Sequence, residues 1–324
     1  MSKRSVRFFS LCVIIGVLAI PSFANAASTS GQISDSDILV QTLKVKDLLV
    51  EKYSDGRLMG NENAKNLNEN QKDTFLNAMG FTEDEISYFS DATKDEIIIQ
   101  GGKKVNSTQT DYKNIFTSKE GDDYLVTPEN KEEINMMRTK DLTLNSELAG
   151  FSATTLDSSE VWDGIFHGSG TVVYIGKTAN AMEYKYTYRT NFRWNKLPNF
   201  YWTDSIGTSW ATGTGVGSNG TYVIDSSDPW IGYVDRGFAS IDQSSVQGTK
   251  GTIDLYGLDG LHYGDLATEV RIPVTQKGLT GAFGSAYGHA YSTANMDLVL
   301  NYASIYINGW GDKWTWRTEY TIGQ

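Results

Sequence analysis

Histidine, the side chain best suited to metal and acid–base chemistry near neutral pH, is rare in this 324-residue sequence. The histidines are His167, His262 and His289. Because imidazole and carboxylate groups are zinc ligands, His262, Asp265 and His289 would form a metal site if the fold brought them together. Their spacing does not require this, and hydrogen-bonded structural histidines are the alternative. The sequence contains no HExxH, Walker, EF-hand or Rossmann motif, so we predict no cofactor.

Two glutamates form the candidate pair for hydrolysis. Glu183 and Glu319 each lie on the polar side of a segment with strand-like alternation. Glycoside hydrolysis needs two carboxyl groups that face each other across a cleft, which would require these strands to be neighbours. The alternative is that each glutamate pairs with a nearby lysine or arginine on a solvated sheet face. We therefore expect a protein that is not an enzyme, with hydrolysis left open.

Aromatic residues that break the strand alternation are candidates for ligand binding. They are Tyr201, Trp210, Trp230 and Trp310. Tyr201 lies between two other aromatic residues and must point away from both, whereas Trp310 lies between two glycines. Exposed aromatics beside flexible loops present a flat surface to a sugar ring or to a partner protein. The alternative is that they fold back onto the core.

The elements that would position these residues are mainly strands. Every second residue of 182–194 is large or apolar, with polar residues between, and 313–322 repeats this pattern. Similar strand candidates occur at 171–175, 221–224, 230–234, 251–256, 267–274, 282–291 and 296–307. About nine strands with intervening turns predict an antiparallel β-sandwich, jelly-roll-like or barrel-like, over residues 150–324. The Asn219-Gly220 pair predicts a tight hairpin turn.

One strand candidate has a nearly bare face. Between 279 and 292 the odd positions are mostly bulky, while the even positions carry mainly Gly and Ala. A bare face allows close approach of a packed sheet, another strand or a ligand.

The N-terminal part is denser in charge and shows helical patterns. We predict helices at 36–53, at 70–79 and after Thr82, where Glu85 completes a capping box, and a fourth after Ser90. These make a small helical unit over 27–102, which is a possible pro-region. The polar segment 103–149 is interpreted as a linker. The chain as a whole is therefore expected to be α+β.

The first 26 residues predict export. Three basic residues, a short apolar run and a small-residue site at Ala24-Asn25-Ala26 are typical of a cleaved signal peptide. Its removal would take away Cys12, which is the chain's single cysteine, and leave a mature protein without disulfides or thiol chemistry. No later apolar run is long enough to span a membrane. We expect a secreted, extracellular protein.

The formal net charge of −11 bears on possible partners. Nucleic acids and anionic membranes repel so acidic a chain, so neither is an expected partner. A cell-surface polysaccharide or protein fits better.

A limited resemblance to other proteins supports export. The signal peptide and residues 75–105, with Met79-Gly80-Phe81-Thr82-Glu83 and Gln100-Gly101-Gly102-Lys103-Lys104, resemble uncharacterised secreted proteins of Gram-positive spore-forming bacteria. The resemblance covers at most a third of the chain, as helix-boundary residues, and implies secretion without implying an activity.

Three functions follow from these observations. The first is a non-enzymatic sandwich that binds a cell-envelope polymer or a partner protein through exposed aromatics. The second is a secreted pore-forming or antibacterial toxin, held inactive by its helical region, whose polar segment 203–221 would insert as a hairpin. The third is a carbohydrate-active hydrolase that uses Glu183 and Glu319.

Overall fold

The computed structural model describes residues 39–45, 48–149, 165–198, 200–243, 245, 247–292, 296–302 and 304–324. The predicted signal peptide lies outside these residues. The helices are α1 Glu69–Met79, α2 Glu83–Ser87, α3 Asp91–Gln100 and α4 Lys131–Ala149, with short 3-10 helices at Ala64–Asn66 and Val274–Gln276. The strands are β1 Leu39–Val45, β2 Leu48–Tyr53, β3 Lys103–Lys104, β4 Ser107–Thr117, β5 Asp123–Leu125, β6 Phe166–Lys177, β7 Glu183–Trp194, β8 Thr203–Trp210, β9 Thr214–Ser226, β10 Tyr233–Asp235, β11 Ser240–Asp242, β12 Gly248–Asp254, β13 Gly260–Pro273, β14 Thr280–Ala290, β15 Asp297–Asn301, β16 Ser304–Asn308 and β17 Gly311–Thr321.

Two antiparallel sheets form the sandwich. The first sheet has the strand order β10-β9-β13-β7-β6-β3, and the second has the order β11-β12-β8-β14-β17-β4-β5. The hairpins β1–β2 and β15–β16 are separate two-stranded sheets. The predicted fold class is confirmed: a mostly antiparallel sandwich with a small helical unit.

The alternation in β7 and β17 places their aromatic residues between the sheets. Tyr188 of β7 stacks on Phe283 of β14 with ring centroids 4.7 Å apart, so the two sheets meet through their aromatic side chains. Gly168 of β6 makes room for Trp316, because a Cβ there would lie 2.6 Å from the indole ring. Burying this many aromatic rings is the main apolar contribution to the stability of the sandwich.

The bare face of β14 is covered by the β15–β16 hairpin. Ala286 and Ala290 pack in one cluster with Met296, Leu298 and Ile307. The close approach that the Gly and Ala residues permit is therefore made by a packed hairpin.

The predicted helical unit covered residues 27–102. From here on the name refers to residues 48–102, which form most of a separate apolar core. Its buried residues include Val50, Phe75 and Ile97, joined by Val173 and Ile175 from the first sheet. The predicted helices α1, α2 and α3 are confirmed, and Thr82 and Glu85 form the expected capping box.

The helix predicted at 36–53 is wrong. Of these residues, 39–45 and 48–53 form β1 and β2, which pair as antiparallel strands. In β2, Leu48 and Val50 are buried while Leu49 is 70% exposed. This alternation has the period of a strand. The apolar residues of this segment fit a helical period as well as a strand period, and packing of the buried side against the helices favours the strand.

The segment 103–149 differs from its interpretation as a linker. It contains β3, β4, β5 and α4, and β4 pairs with β17 along most of its length. Most of β4 is polar and partly exposed, so it lacks the apolar alternation that marks a strand in sequence. The predicted turn at Asn219-Gly220 is also wrong: both residues lie within β9, and the chain turns instead at 211–213. Gly220 is needed there because the ring of Phe238 lies over it.

No helix in the described part of the chain is both long enough and apolar enough to cross a membrane.

Candidate functional site

The two candidate catalytic glutamates lie on different sheets. Glu183 begins β7 in the first sheet, opposite Pro273. Glu319 lies on β17 in the second sheet, where it accepts a 2.8 Å hydrogen bond from Nε of Arg317. Their strands are not neighbours, so the sheet register does not form the facing carboxyl pair that hydrolysis requires.

His262 is a structural histidine inside the sandwich. Its Nε2 donates to the carbonyl of Leu258 at 2.7 Å, and its Nδ1 accepts from the hydroxyl of Tyr222 at 2.8 Å. Both ring nitrogens are therefore used, with the imidazole neutral. Burial lowers the pKa of His262, which favours the same state.

Asp265 points away from His262, because residues three apart on a strand face opposite sides of the sheet. Its carboxylate accepts from Arg189 at 2.5 Å, from Thr93 at 2.7 Å and from Thr221 at 2.6 Å. Within the described residues, no group of three or more His, Cys, Asp or Glu side chains could hold a metal ion. The structure thus does not bring the candidate ligands His262, Asp265 and His289 together.

His289 belongs instead to a buried polar network that the sequence did not reveal. Its Nδ1 lies 3.0 Å from both carboxylate oxygens of Asp204, which also accepts from the hydroxyl of Tyr287 at 2.7 Å. Burial, followed by the charge of Asp204, raises the pKa of Tyr287 well above its ordinary value. No described residue lies within hydrogen-bonding reach of His289 Nε2. All three side chains are fully buried, so the Asp–His pair is out of reach of a substrate.

Two of the four candidate binding aromatics belong to the interior. Trp210 is only 2% exposed and packs in the core with Tyr188. Trp310 is half-buried, its ring 5.9 Å from that of Tyr291 and 5.8 Å from the ammonium group of Lys119. These two residues therefore pack within the protein.

Tyr201 and Trp230 are exposed at one end of the sandwich. We call this the loop end: it is where β7, β9, β12 and β14 finish and β8, β13 and β17 begin, as the pairs Trp194–His262 and Ser226–Gly260 show. Tyr201 is 54% exposed and Trp230 is 94% exposed.

The turn that carries Trp230 is held by hydrogen bonds. The backbone N–H of Trp230 donates to Asp228 Oδ1 at 2.9 Å, and that of Asp228 donates to Ser226 Oγ at 3.1 Å. The Ser227 hydroxyl donates to Asp259 Oδ2 at 3.1 Å, which ties this turn to the β12–β13 loop. The indole ring is thus solvent-exposed on a defined backbone.

A second exposed surface lies on the β12–β13 loop, and the sequence analysis missed it. Tyr256 is 50% exposed, and the guanidinium group of Arg236 lies 4.5 Å from its ring centroid. The ring of Tyr201 lies over Gly257, where a Cβ would come within 3.0 Å of it. The Gly257-Leu258-Asp259-Gly260 run marked this loop in sequence, but no pattern showed that its tyrosine faces solvent.

Away from the loop end, a recess of about 180 Å³ lies beside the β15–β16 hairpin. It is lined by Asp242, Ser245, Lys250, Leu298 and Leu300. Small-molecule sites usually occupy about 300–1,000 Å³, so the exposed loop end is the stronger candidate site.

Comparison with protein-family models gives no match for this chain, and comparison with curated proteins gives none either.

Proposed function

We propose that the protein is a secreted, non-enzymatic binding protein that engages a cell-envelope polysaccharide through the loop end. The observation that carries this proposal is Trp230, a fully presented indole on a hydrogen-bonded turn. A large apolar ring held in water is unfavourable in the free protein and becomes favourable when a ligand covers it. Because the turn is already ordered, binding would lose little conformational entropy.

The surroundings of Trp230 favour a sugar. An indole ring stacks on the apolar face of a pyranose, and the nearby carboxylates of Asp228 and Asp259 can accept hydrogen bonds from sugar hydroxyls. Both are exposed. Tyr201 and Tyr256 present further rings at the same end, as a polymer with repeated units would require.

The other two functions have less support in the geometry. The segment proposed to insert as a hairpin forms β8 of the second sheet and the first part of β9 in the first sheet. Its release would break backbone pairing with β12, β13 and β14. The hydrolase would need Glu183 and Glu319 on adjacent strands, and they lie on separate sheets.

The test is sedimentation of the full chain with insoluble peptidoglycan, chitin and cellulose. We expect Trp230→Ala to weaken binding about tenfold or more, as loss of a central aromatic contact does. Tyr302→Ala is the matched control, because Tyr302 is 64% exposed at the tip of the β15–β16 hairpin, where the Ser304 carbonyl accepts from Ser209 near the opposite end of β8. Equal binding by Trp230→Ala and the parent chain would contradict the proposal, as would failure of the parent to bind any of these polymers.

A further inference from the structure

The outer surface of the first sheet beneath the helical unit is polar and buried. We call this the covered face, and it consists of Thr171, Thr187, Arg189, Asn191, Thr221 and Asp265. Each of these side chains is 6% exposed or less. The inner surface of the same strands carries tyrosine, phenylalanine and tryptophan, so only the inner surface is suited to permanent burial.

The covered face retains unused hydrogen-bonding groups. Asn191 Oδ1, Thr171 Oγ1 and Arg189 Nε have no hydrogen-bond partner among the residues that the structure describes. The sheet register places Asn191 directly beside Asp265, and Thr171 directly beside Arg189. A buried polar group without a partner is unfavourable by about 1–3 kcal/mol, so the helical unit satisfies this surface incompletely.

The helical unit contacts this sheet mainly through polar and aromatic groups, one of which is a hydroxyl of the kind that a carbohydrate carries. The Thr93 hydroxyl donates to Asp265 Oδ1 at 2.7 Å, as a sugar hydroxyl would. The Tyr88 ring stacks on His167 with centroids 3.9 Å apart and an interplanar angle of 11°. Arg193 donates to the carbonyl of Ser87 at 2.8 Å. The Thr93 contact is the one that a sugar hydroxyl can reproduce, because both groups donate an O–H to a carboxylate oxygen.

Most of the apolar core of the helical unit comes from its own residues. Among the described residues of the sandwich, Val173 and Ile175 join this core. The chain enters the sandwich through Gly101 and Gly102, which have φ values of 67° and 116°. A polar interface loses less on exposure to water than an apolar one, so separation need not unfold either part.

We propose that the covered face is a second binding site, specific for a neutral, hydroxyl-rich glycan, which the helical unit occupies until it moves aside. The site is independent of Trp230, because it lies on the outer surface of the first sheet. A polymer that reached both sites would gain avidity, since the second contact would be intramolecular.

The test locks the helical unit reversibly. The Thr93 and Thr221 hydroxyl oxygens lie 2.9 Å apart, so a Thr93→Cys/Thr221→Cys pair in a Cys12→Ser background places two thiols side by side for oxidation to a disulfide. Thr221 belongs to the covered face, so the comparison is made between the oxidised and reduced forms of this same variant. Trp230→Ala is added so that binding at the loop end cannot contribute. Soluble β-glucan, dextran and the acidic polymer polygalacturonate are the probes, measured by affinity electrophoresis with and without reductant.

We expect the reduced protein to bind a neutral glycan about tenfold or more tightly than the oxidised protein. Adding Asn191→Ala to the reduced protein should abolish this gain. A Ser218→Cys/Thr249→Cys pair, whose hydroxyl oxygens lie 3.0 Å apart between β9 and β12, controls for the disulfide itself and should show no redox effect. Equal binding by oxidised and reduced proteins, including no binding by either, overturns the proposal, and so does a preference for polygalacturonate.

Discussion

Replacing Arg138 with leucine tests how the sandwich tolerates a buried ion pair. Nη2 of Arg138 on α4 lies 2.5 Å from Oδ1 of Asp312 on β17, and both side chains are 0% exposed. The Tyr291 hydroxyl donates to the other carboxylate oxygen. Removing the guanidinium leaves Asp312 with that neutral donor and no opposite charge in the pair.

The expected loss of stability is large. Breaking a buried pair by removing one partner costs about 3–5 kcal/mol, because a charge then stays desolvated. In a sandwich of this size that lowers Tm by roughly 6–20 °C. The matched control is Arg317→Leu, since Arg317 and Glu319 form a 2.8 Å pair in which both side chains are 38% exposed. Exposed pairs contribute about 0–1 kcal/mol.

The assay is thermal and urea unfolding of both variants and of Arg138→Leu/Asp312→Asn. Burial raises the pKa of Asp312, so its folded form binds a proton more readily than its unfolded form. Loss of the opposing Arg138 raises that pKa further, and the deficit of Arg138→Leu should therefore shrink as pH falls. Asp312→Asn should restore part of the stability. If Arg138→Leu costs no more than Arg317→Leu at neutral pH, the assignment of a buried charge pair is refuted.

Three further substitutions test other contacts. Burial and the charge of Asp265 raise the pKa of Glu96, so Glu96→Gln should raise Tm at neutral pH, with the gain shrinking as pH falls and the folded-state carboxyl takes up a proton. Gly288→Val puts a Cβ 2.6 Å from Sδ of Met296 and should loosen the β15–β16 hairpin by about 1–3 kcal/mol, seen as faster amide exchange over 297–308. His262→Phe strands two buried hydrogen-bond partners and should cost about 1–3 kcal/mol in urea unfolding, whereas an unchanged midpoint would contradict the structural role.

The sandwich could be predicted because its strands have one apolar side. In β7, Tyr186 and Tyr188 alternate with Thr187 and Arg189. This period of two can be recognised in the sequence without knowing how the strand packs. Helix boundaries could also be predicted from local sequence, since Ser90 is the N-cap of α3 and Gly80 is the left-handed C-cap of α1.

Elements that depend on distant partners could not be predicted. β4 is polar along most of its length and becomes a strand because β17, about 200 residues away in sequence, offers a free edge. The Asn219-Gly220 pair has the residues of a tight turn, yet β13 pairs with it on one side and Phe238 needs the space above Gly220. In both cases tertiary contacts override the local preference.

The candidate site could be predicted only in part, again because tertiary contacts decide which side chains are exposed. Residue type and position identified Tyr201 and Trp230 as candidate binding residues. The same criteria selected Trp210, which is buried. Exposure depends on which loops meet at one end of the sandwich, and the sequence does not show this. Asp204 and His289 are 85 positions apart, and no spacing rule connects them.

The polarity of the first sheet links the two proposals. Its inner side packs like any sandwich core, whereas its outer side carries charged and hydroxyl groups, a pattern expected of a sheet designed to face water or a polar ligand. The helical unit covers that side, yet polar atoms of Asn191, Thr171 and Arg189 have no partner within the described part of the chain. A permanent interface would be expected to satisfy or replace them. An interface that forms and opens can leave them for a ligand, and Trp230 would then hold the same polymer at the loop end while the helical unit moves.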